Sequence, residues 1–538
     1  MTTTTPEKRP STTTTKRATL STPCILIIVV AGVERFAYKG VACNLVTYLT
    51  GVVEMSTSAA AKSVSIWAGV TSMLPLFSAV LADSYCWDRY STIVASSLLY
   101  VAGLIGLTSW ELLRKWMPRS SLFFPLYLIS IGQGGYNPSL QAFGADQLDI
   151  GDDDDDGIGE SGSGSSSEEK GKVKSAFFQW WYFGICSGSL MGNSTMPYVQ
   201  DTIGWGIGFA IPCAAMALSL AAFLCCTPLY KQQIKQPRSV DDGRSPGSIF
   251  RALRSLLKTV SAGKIRLPSR HEDGDDDASE LELQEKPLKV AELTDPKECL
   301  SNEAQAQPGV AKIILGLLPI WTVLLMFAVI FQQPMTFFTK QGMLMDHRVG
   351  GSGLVIPPAM LQSTITVSII LLMPLYDRMI IPMISIITRD SKGITVLQRI
   401  GVGMVLSVVA MVIAAVIESR RRLVVGQMSI AWLLPQYLLL GVSDVFTVVG
   451  MQEFFYTQVP GAMRTIGIAL YLSVFGVGSL VGAMLISAIE MATARNSTSH
   501  GWFSDDPREA RLDSYYWFLA LLGAISFVIF TQLCKYYK

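Results

Sequence analysis

Apolar residues dominate twelve separate stretches of this chain, six before residue 230 and six after residue 309. They cover residues 22–48, 62–82, 91–110, 121–145, 175–200, 203–229, 310–337, 353–376, 396–417, 429–456, 464–489 and 512–534. A helix crosses the bilayer core with about 20 mainly apolar residues. The pattern therefore predicts an all-α polytopic membrane protein with twelve transmembrane helices in two six-helix bundles.

Polar stretches set the predicted boundaries. A cytosolic tail, 1–20, precedes an N-terminal bundle, 21–229, which contains an acidic Gly/Ser loop at 148–174. A hydrophilic cytosolic linker, 230–309, separates it from a C-terminal bundle, 310–538. Gly/Ser-rich and charged segments of this kind are typical of flexible connections.

The linker contains 13 Lys/Arg and 14 Asp/Glu, so it cannot lie in lipid. Six of its apolar residues recur at helical spacing, with cations on the other face. They are Ile249, Phe250, Leu253, Leu256, Leu257 and Val260. This pattern predicts an amphipathic helix, lying either on a membrane surface or on the cytosolic face of the protein itself.

The composition changes the picture mainly by exclusion. Charged residues make up 16% of the chain, against about 25% in soluble domains, and the net charge of +1 gives no indication of a nucleic-acid partner. All three histidines lie outside the predicted spans, and the sequence contains no phosphate-binding loop and no metal-spaced cluster. We therefore expect no enzyme activity, no cofactor and no metal, and movement of a solute driven by a gradient.

The first span contains Glu34, Arg35 and Lys39. Ala31, Glu34 and Arg35 share one helical face, together with Tyr38. Ionisable residues inside a span are costly and are functional hypotheses by default. This face is expected to line a water-filled cavity; the alternative is an ion pair that holds helices together.

The tenth span contains Asp444, with no cation within four residues along its helix. Desolvation favours the protonated form of a carboxyl group. Asp444 is thus a candidate proton site, or a buried acid that is simply hydrogen-bonded.

Glycine and proline are expected to interrupt the fourth span at 132–138 and the seventh at 332–334, which includes Gln332. Such breaks are tolerated where backbone lines a cavity. They predict a binding site between the halves, or packing kinks.

The charged linker favours cytosolic termini, although positive charge in the short loops is nearly balanced. Two glycosylation sequons, at Asn193 and Asn496, then lie on the opposite side.

Several strings resemble the plant nitrate/peptide transporter family, which belongs to the proton-dependent oligopeptide transporter group of the major facilitator superfamily. They are Val33–Gly40, Ala82–Tyr90, Phe143–Gln147, Phe337–Gly342, Gln452–Tyr456 and Ala469–Ser473. The resemblance covers nearly the whole chain and looks most like the fifth subfamily. It implies a major facilitator fold with a midplane substrate site, and a conformational loop motif containing Asp83 and Arg89.

The chain departs from the family at site positions. The first acid of the family's Glu-x-x-Glu-Arg motif, which is linked to proton coupling, is Ala31, and a fourth-helix lysine is replaced by Asn137. Phe331 lies near the seventh-helix histidine of some nitrate carriers, and Asp444 replaces a glutamate. Removing both members of a buried ion pair strands no charge, so Ala31 and Asn137 indicate a paired neutralisation.

The resemblance implies a carrier of nitrate or another small anionic or nitrogenous solute by alternating access, with proton coupling in doubt. The alternatives are a proton-coupled carrier of peptides or organic metabolites, and a solute sensor without net transport. The expected partners are a small molecule, the lipid bilayer and, if coupling exists, protons. We expect a monomer in the plasma membrane or the vacuolar membrane.

Overall fold

The computed structural model describes residues 22–84, 89–149, 165–230, 315–348, 355–375, 395–424, 428–459, 464–494, 501–504 and 510–535. All regular elements in these ranges are helical. The α-helices are α1 (Thr22–Ala42), α2 (Leu45–Gly51), α3 (Thr57–Ser84), α4 (Arg89–Leu113), α5 (Phe123–Asp149), α6 (Ser165–Thr202), α7 (Trp205–Cys225), α8 (315–331), α9 (Phe337–Met343), α10 (Gln362–Leu375), α11 (Val396–Leu423), α12 (Leu434–Thr457), α13 (Arg464–Ala494) and α14 (Leu512–Leu533). Pairing of the β type is confined, in the described part, to two isolated bridges.

Each of the twelve predicted spans overlaps at least one of these helices. Within the described ranges, seven segments are long and apolar enough to cross a membrane on length and composition alone. The prediction of an all-α polytopic membrane protein is confirmed.

The two predicted breaks have different outcomes. α5 continues through Gly132 and Pro138 without interruption, so the predicted break in the fourth span is wrong. The seventh span is interrupted as predicted: α8 ends at residue 331, a 3-10 turn covers Gln333–Met335, and α9 begins at Phe337. Pro334 explains this break, because it lacks the N–H that an α-helix needs there.

The predicted Gly/Ser loop also ends earlier than expected, since α6 begins at Ser165. The helix extends beyond the apolar stretch because residues 168–174 include Glu and Lys, which are good helix formers. The predicted amphipathic helix of the linker lies outside the described residues.

The chain divides into two compact units. The first unit, Met1–Val41 and Asp88–Ile234, contains α1 and α4 to α7. Within it, α4 packs on α5 and α7, and α6 packs on α7. An aromatic cluster of Tyr90, Phe143, Phe223 and Tyr230 fills the space where α4, α5 and α7 meet.

The second unit, Ala42–Trp87 and Lys235–Lys538, contains α2, α3 and α8 to α14. Its α11 packs on α12 and α14, and α10 packs on α12. α3 packs along α13, where the backbones approach closely: a Cβ on Gly69 would lie 3.0 Å from the Gly476 carbonyl oxygen. The two units do not coincide with the predicted domains, so the domain boundaries at 21–229 and 310–538 stay a prediction.

Candidate functional site

Glu34 and Arg35 are positioned by the packing of α1 on α6. Gly184, Gly188 and Gly192 recur every fourth residue of α6 and lie against the α1 backbone. A Cβ on Gly188 would collide with the Gly32 carbonyl group. Small residues at this spacing allow two membrane helices to approach closely, so this contact fixes the rotation of α1.

α5 is fixed against α4 and α1 in a similar way. A Cβ on Gly132 would lie 2.6 Å from the Tyr100 backbone nitrogen of α4. On the neighbouring turn, the Tyr136 hydroxyl group donates to the Val30 carbonyl oxygen of α1 at 3.4 Å. The glycines that suggested a helix break are thus contact points, and they hold α5 where Asn137 reaches α1.

Asn137 connects the two charges of α1. Arg35 Nε lies 3.5 Å from Glu34 Oε2. In the amide orientation that its neighbours require, Asn137 Nδ2 donates to Glu34 Oε2 at 3.2 Å, and Asn137 Oδ1 accepts from Arg35 Nη2 at 3.3 Å. A lysine could donate to Glu34 but could not accept from Arg35. The asparagine is therefore matched to both members of the pair.

The pair is buried unevenly. Glu34 is 1% exposed, whereas the Arg35 side chain keeps 24% of its surface. The expectation that this face lines a cavity is wrong for Glu34, because the close packing of α1, α4 and α5 covers it. Arg35 is the more exposed member of the pair.

Glu34 lies in a buried polar region that the sequence did not predict. Gln133, one turn before Asn137, lies beside it, and so does the buried ring of Tyr100. Glu34 Oε1, Gln133 Oε1 and the Tyr100 hydroxyl group have no hydrogen-bond partner among the described residues. The i, i+4 spacing of Gln133 and Asn137 was a signal for the first of these neighbours. Nothing in the sequence indicated Tyr100.

Tyr38 and Lys39 lie further along α1, and both are half-buried. The Lys39 Cβ lies close to Gly192 of α6, at 2.9 Å from the position of an added Cβ. The structure places both residues in the same unit as the Glu34–Arg35 pair.

The remaining site candidates of the spans belong to the second unit. Phe331, at the end of α8, stacks on Phe327 and contacts Phe475 of α13 edge-on. The ring centroids are 5.9 Å apart in both contacts. Gln332 Nε2 donates to the Ser479 hydroxyl oxygen at 2.6 Å. These contacts join α8 to α13 next to the break in the seventh span.

Asp444 is half-buried in α12. The neighbouring Ser443 hydroxyl group donates to the Gly403 carbonyl oxygen of α11 at 2.6 Å. On the α10 side, Gly441 is tight against Ser368. α12 is thus clamped between two helices at the position that carries the acid.

The loop motif and the sequons are the remaining candidates. Asp83 is near the end of α3, and Arg89 is exposed at the start of α4. Asn193 is 2% exposed inside α6, so the prediction of a glycan there is wrong: a buried helical residue cannot carry one. Asn496 lies outside the described residues.

Among the described side chains, no group of three or more His, Cys, Asp or Glu is arranged to hold a metal ion. The site of the first unit consists instead of a cation, an acid and an amide in contact. Arg35 presents a planar set of N–H donors, a geometry that matches oxyanions. The arrangement can bind an anion, with Glu34 as its competitor for the guanidinium group.

Comparison with known proteins gives a consistent result. The sequence model of the POT family matches residues 90–503. Two Arabidopsis thaliana proteins are similar over nearly their whole length. Protein NRT1/ PTR FAMILY 5.9 is 49% identical, covering 96% of both chains. Protein NRT1/ PTR FAMILY 5.10 is 39% identical, covering 95% of this chain and 92% of the relative.

Solved structures share the fold at low sequence identity. The crystal structure of the POT family transporter PepTSo superposes with a TM-score of 0.70 at 18% identity, covering 96% of this chain and 99% of that one. A POT family transporter in complex with 5-aminolevulinic acid gives a TM-score of 0.65 at 15% identity, covering 96% of both. The predicted major facilitator fold is confirmed.

Proposed function

This chain is a membrane transporter of the POT family, and we propose that it carries a small anion, with nitrate as the first candidate. The observation that supports this proposal is the contact between Arg35, Glu34 and Asn137. It provides one partly exposed guanidinium group, on Arg35, which approaches its counter-charge, Glu34, through one pair of atoms.

The proposed binding step is an exchange of partners. In the absence of solute, Glu34 Oε2 and Asn137 Oδ1 both face the guanidinium group. An oxyanion binds to the accessible N–H groups of Arg35 and takes over its charge. Glu34 then loses part of its compensation in a buried position, and it must be stabilised by Asn137, Gln133 or a proton.

We propose weak proton coupling for this cycle. Ala31 cannot take up a proton, and Asn137 cannot carry the charge that a lysine would add. Glu34 and Asp444 are the acids that keep a pH response possible. We expect wild-type transport to depend only weakly on pH. Asp444→Asn is expected to remove the remaining pH dependence.

Uptake of labelled nitrate into proteoliposomes tests the proposal. Arg35→Lys is expected to reduce uptake about tenfold or more, because lysine replaces a planar set of donors by a point charge. The matched control, Arg420→Lys, makes the same substitution at an exposed cation of the second unit and should transport normally. Normal nitrate uptake by folded Arg35→Ala protein would reject the role of Arg35.

The same assay separates the alternatives. A facilitative carrier accumulates label to equilibrium with or without a pH gradient, whereas a proton-coupled carrier concentrates it only with one. A sensor binds nitrate without any flux.

A second candidate function is transport of peptides or organic metabolites. Phe331, Phe475 and Tyr471 form a half-buried aromatic row in the second unit, which fits an apolar group better than it fits nitrate. Competition of labelled nitrate uptake by unlabelled dipeptides tests this candidate.

The orientation is also part of the proposal. We infer cytosolic termini from the charged linker, in the plasma membrane or the vacuolar membrane.

A further inference from the structure

The connection between α4 and α5 exposes an unusual number of large apolar side chains. In this segment, residues 111–124 and hereafter the α4–α5 loop, Trp116 is 89% exposed, Leu112 is 74% exposed and Phe124 is 75% exposed. Leu113 and Met117 are also exposed. Trp116 lies beyond the end of α4, so its exposure does not follow from the lipid-facing side of a span.

The same loop is basic. Arg114, Lys115 and Arg119 are all exposed. The acid of the segment, Glu111, is mostly buried and lies 3.9 Å from Arg114. The loop therefore presents positive charge next to its apolar side chains.

The shape of the loop is fixed by internal hydrogen bonds. Trp110 Nε1 donates to the Ser121 hydroxyl oxygen at 2.9 Å, and that hydroxyl group donates to the Pro118 carbonyl oxygen at 2.6 Å. The Trp116 backbone nitrogen donates to the Leu113 carbonyl oxygen at 2.9 Å. A 3-10 turn over Arg119–Leu122 leads into α5. The exposed side chains are thus presented by an ordered segment.

Neither the fold nor solute binding accounts for these cations. In the proposed orientation the loop lies on the side opposite the termini, where the positive-inside rule disfavours Lys and Arg. The α4–α5 loop combines three such cations with several exposed apolar side chains, and this combination calls for a partner that is both negatively charged and apolar.

We propose that the α4–α5 loop docks on anionic phospholipid headgroups. Charge complementarity carries the proposal: three exposed cations face the phosphates, while Trp116 and its apolar neighbours enter the boundary between headgroups and acyl chains. Tryptophan is enriched at this depth, and long cationic side chains reach from the apolar boundary to the phosphate level. A patch that only attracted a dissolved anion would have no use for an exposed tryptophan.

Native mass spectrometry of the delipidated full-length protein tests this docking. Phosphatidylglycerol and phosphatidylcholine are titrated separately, and the affinity for the first bound lipids is compared. Removing three cations, in Arg114→Gln/Lys115→Gln/Arg119→Gln, should weaken phosphatidylglycerol binding at least about tenfold, since three charges that attract the anionic headgroup are lost. Phosphatidylcholine binding should change little.

A matched triple variant, Arg348→Gln/Arg420→Gln/Lys535→Gln, removes three exposed cations of the second unit and should keep the affinity. Trp116→Ser, which leaves the charges in place, should weaken the binding of both lipids. Equal losses in the two triple variants, or no loss in the loop variant, would overturn the proposal. Unchanged lipid binding with slower nitrate uptake at low ionic strength would also overturn it, and would make the loop an anion-steering surface.

Discussion

Two buried glutamate–arginine pairs lie in the described part of the protein, one in each unit, and they are built differently. Glu418 and Arg421 of α11 form a bidentate pair, with Arg421 Nε and Nη2 donating to the two carboxylate oxygens at 2.9 and 2.8 Å. Glu34 and Arg35 of α1 make one approach at 3.5 Å, and Glu34 Oε1 has no partner in the described part of the protein. Both glutamates are nearly inaccessible.

The difference separates a structural pair from one that can change partners. A buried carboxylate with both oxygens hydrogen-bonded would lose bonds in any other arrangement, so it favours a single conformation. A buried carboxylate with one unbonded oxygen keeps part of its desolvation penalty. An unsatisfied group of this kind leaves room for an alternative arrangement of its partners. We therefore propose that the Glu418–Arg421 pair serves stability and that the Glu34–Arg35 pair serves solute exchange.

The largest effect is expected for Glu418→Gln, which tests whether the Glu418–Arg421 pair is structural. It leaves Arg421 buried without its counter-charge, and we expect a loss of about 3–5 kcal/mol in the free energy of unfolding. Unfolding of the purified protein in detergent measures this loss. The double variant Glu418→Leu/Arg421→Leu removes both charges and should lose much less. A single variant as stable as the wild type would show that the pair is not structural.

Ala31→Glu tests the paired neutralisation, in which the acid at position 31 and the lysine at position 137 are replaced together. Ala31 is buried, so a carboxylate there lacks compensation, and we expect a loss of several kcal/mol. Ala31→Gln adds the same volume without charge and separates the two effects. Ala31→Glu/Asn137→Lys should recover most of the loss that is due to charge. If Ala31→Glu instead folds well and gains proton-driven uptake, the paired neutralisation is wrong.

Glu34→Gln sharpens the comparison, because it is the same change as Glu418→Gln in the other pair. We expect the free energy of unfolding to change by about 1 kcal/mol or less, since one carboxylate oxygen already lacks a hydrogen bond. Nitrate should bind about tenfold more tightly, because Arg35 loses its competitor. Isothermal titration measures the affinity. A loss in the free energy of unfolding as large as that of Glu418→Gln would mean that the Glu34–Arg35 pair holds helices together.

These pairs also show what the sequence could predict. The twelve spans, the break at Pro334 and the charges of α1 follow from periodicity and residue type. The Glu418–Arg421 pair was missed because the predicted ninth span ended at 417, whereas α11 continues to Leu423. Arginines in the last turn stabilise a helix C-terminus, so the apolar stretch understated the length of the helix.

The contacts of Asn137 could not be predicted, because they depend on the rotation of α5 relative to α1. That rotation is set by close approaches between α-helices, such as Gly132 against Tyr100. The same glycines suggested a helix break, since a sequence pattern does not distinguish a flexible glycine from a packed one. The sequon at Asn193 failed for a related reason: the motif contains no information on burial.

The smallest effect is expected at a third ion pair, between α3 and α13. Lys62 Nζ lies 2.7 Å from Glu490 Oε2, and the Ser58 hydroxyl group donates to Glu490 Oε1 at 2.7 Å. The geometry is as close as in the Glu418–Arg421 pair, but the side chains are 27% and 41% exposed. Solvent therefore competes for both charges, and exposed pairs contribute about 0–1 kcal/mol. Lys62→Gln should lower the free energy of unfolding by no more than that. The difference from the wild type should disappear at about 1 M salt, where the screening length is about 3 Å. A loss of the size expected for Glu418→Gln, unchanged by salt, would mean that distance, and not burial, decides which ion pairs stabilise this protein.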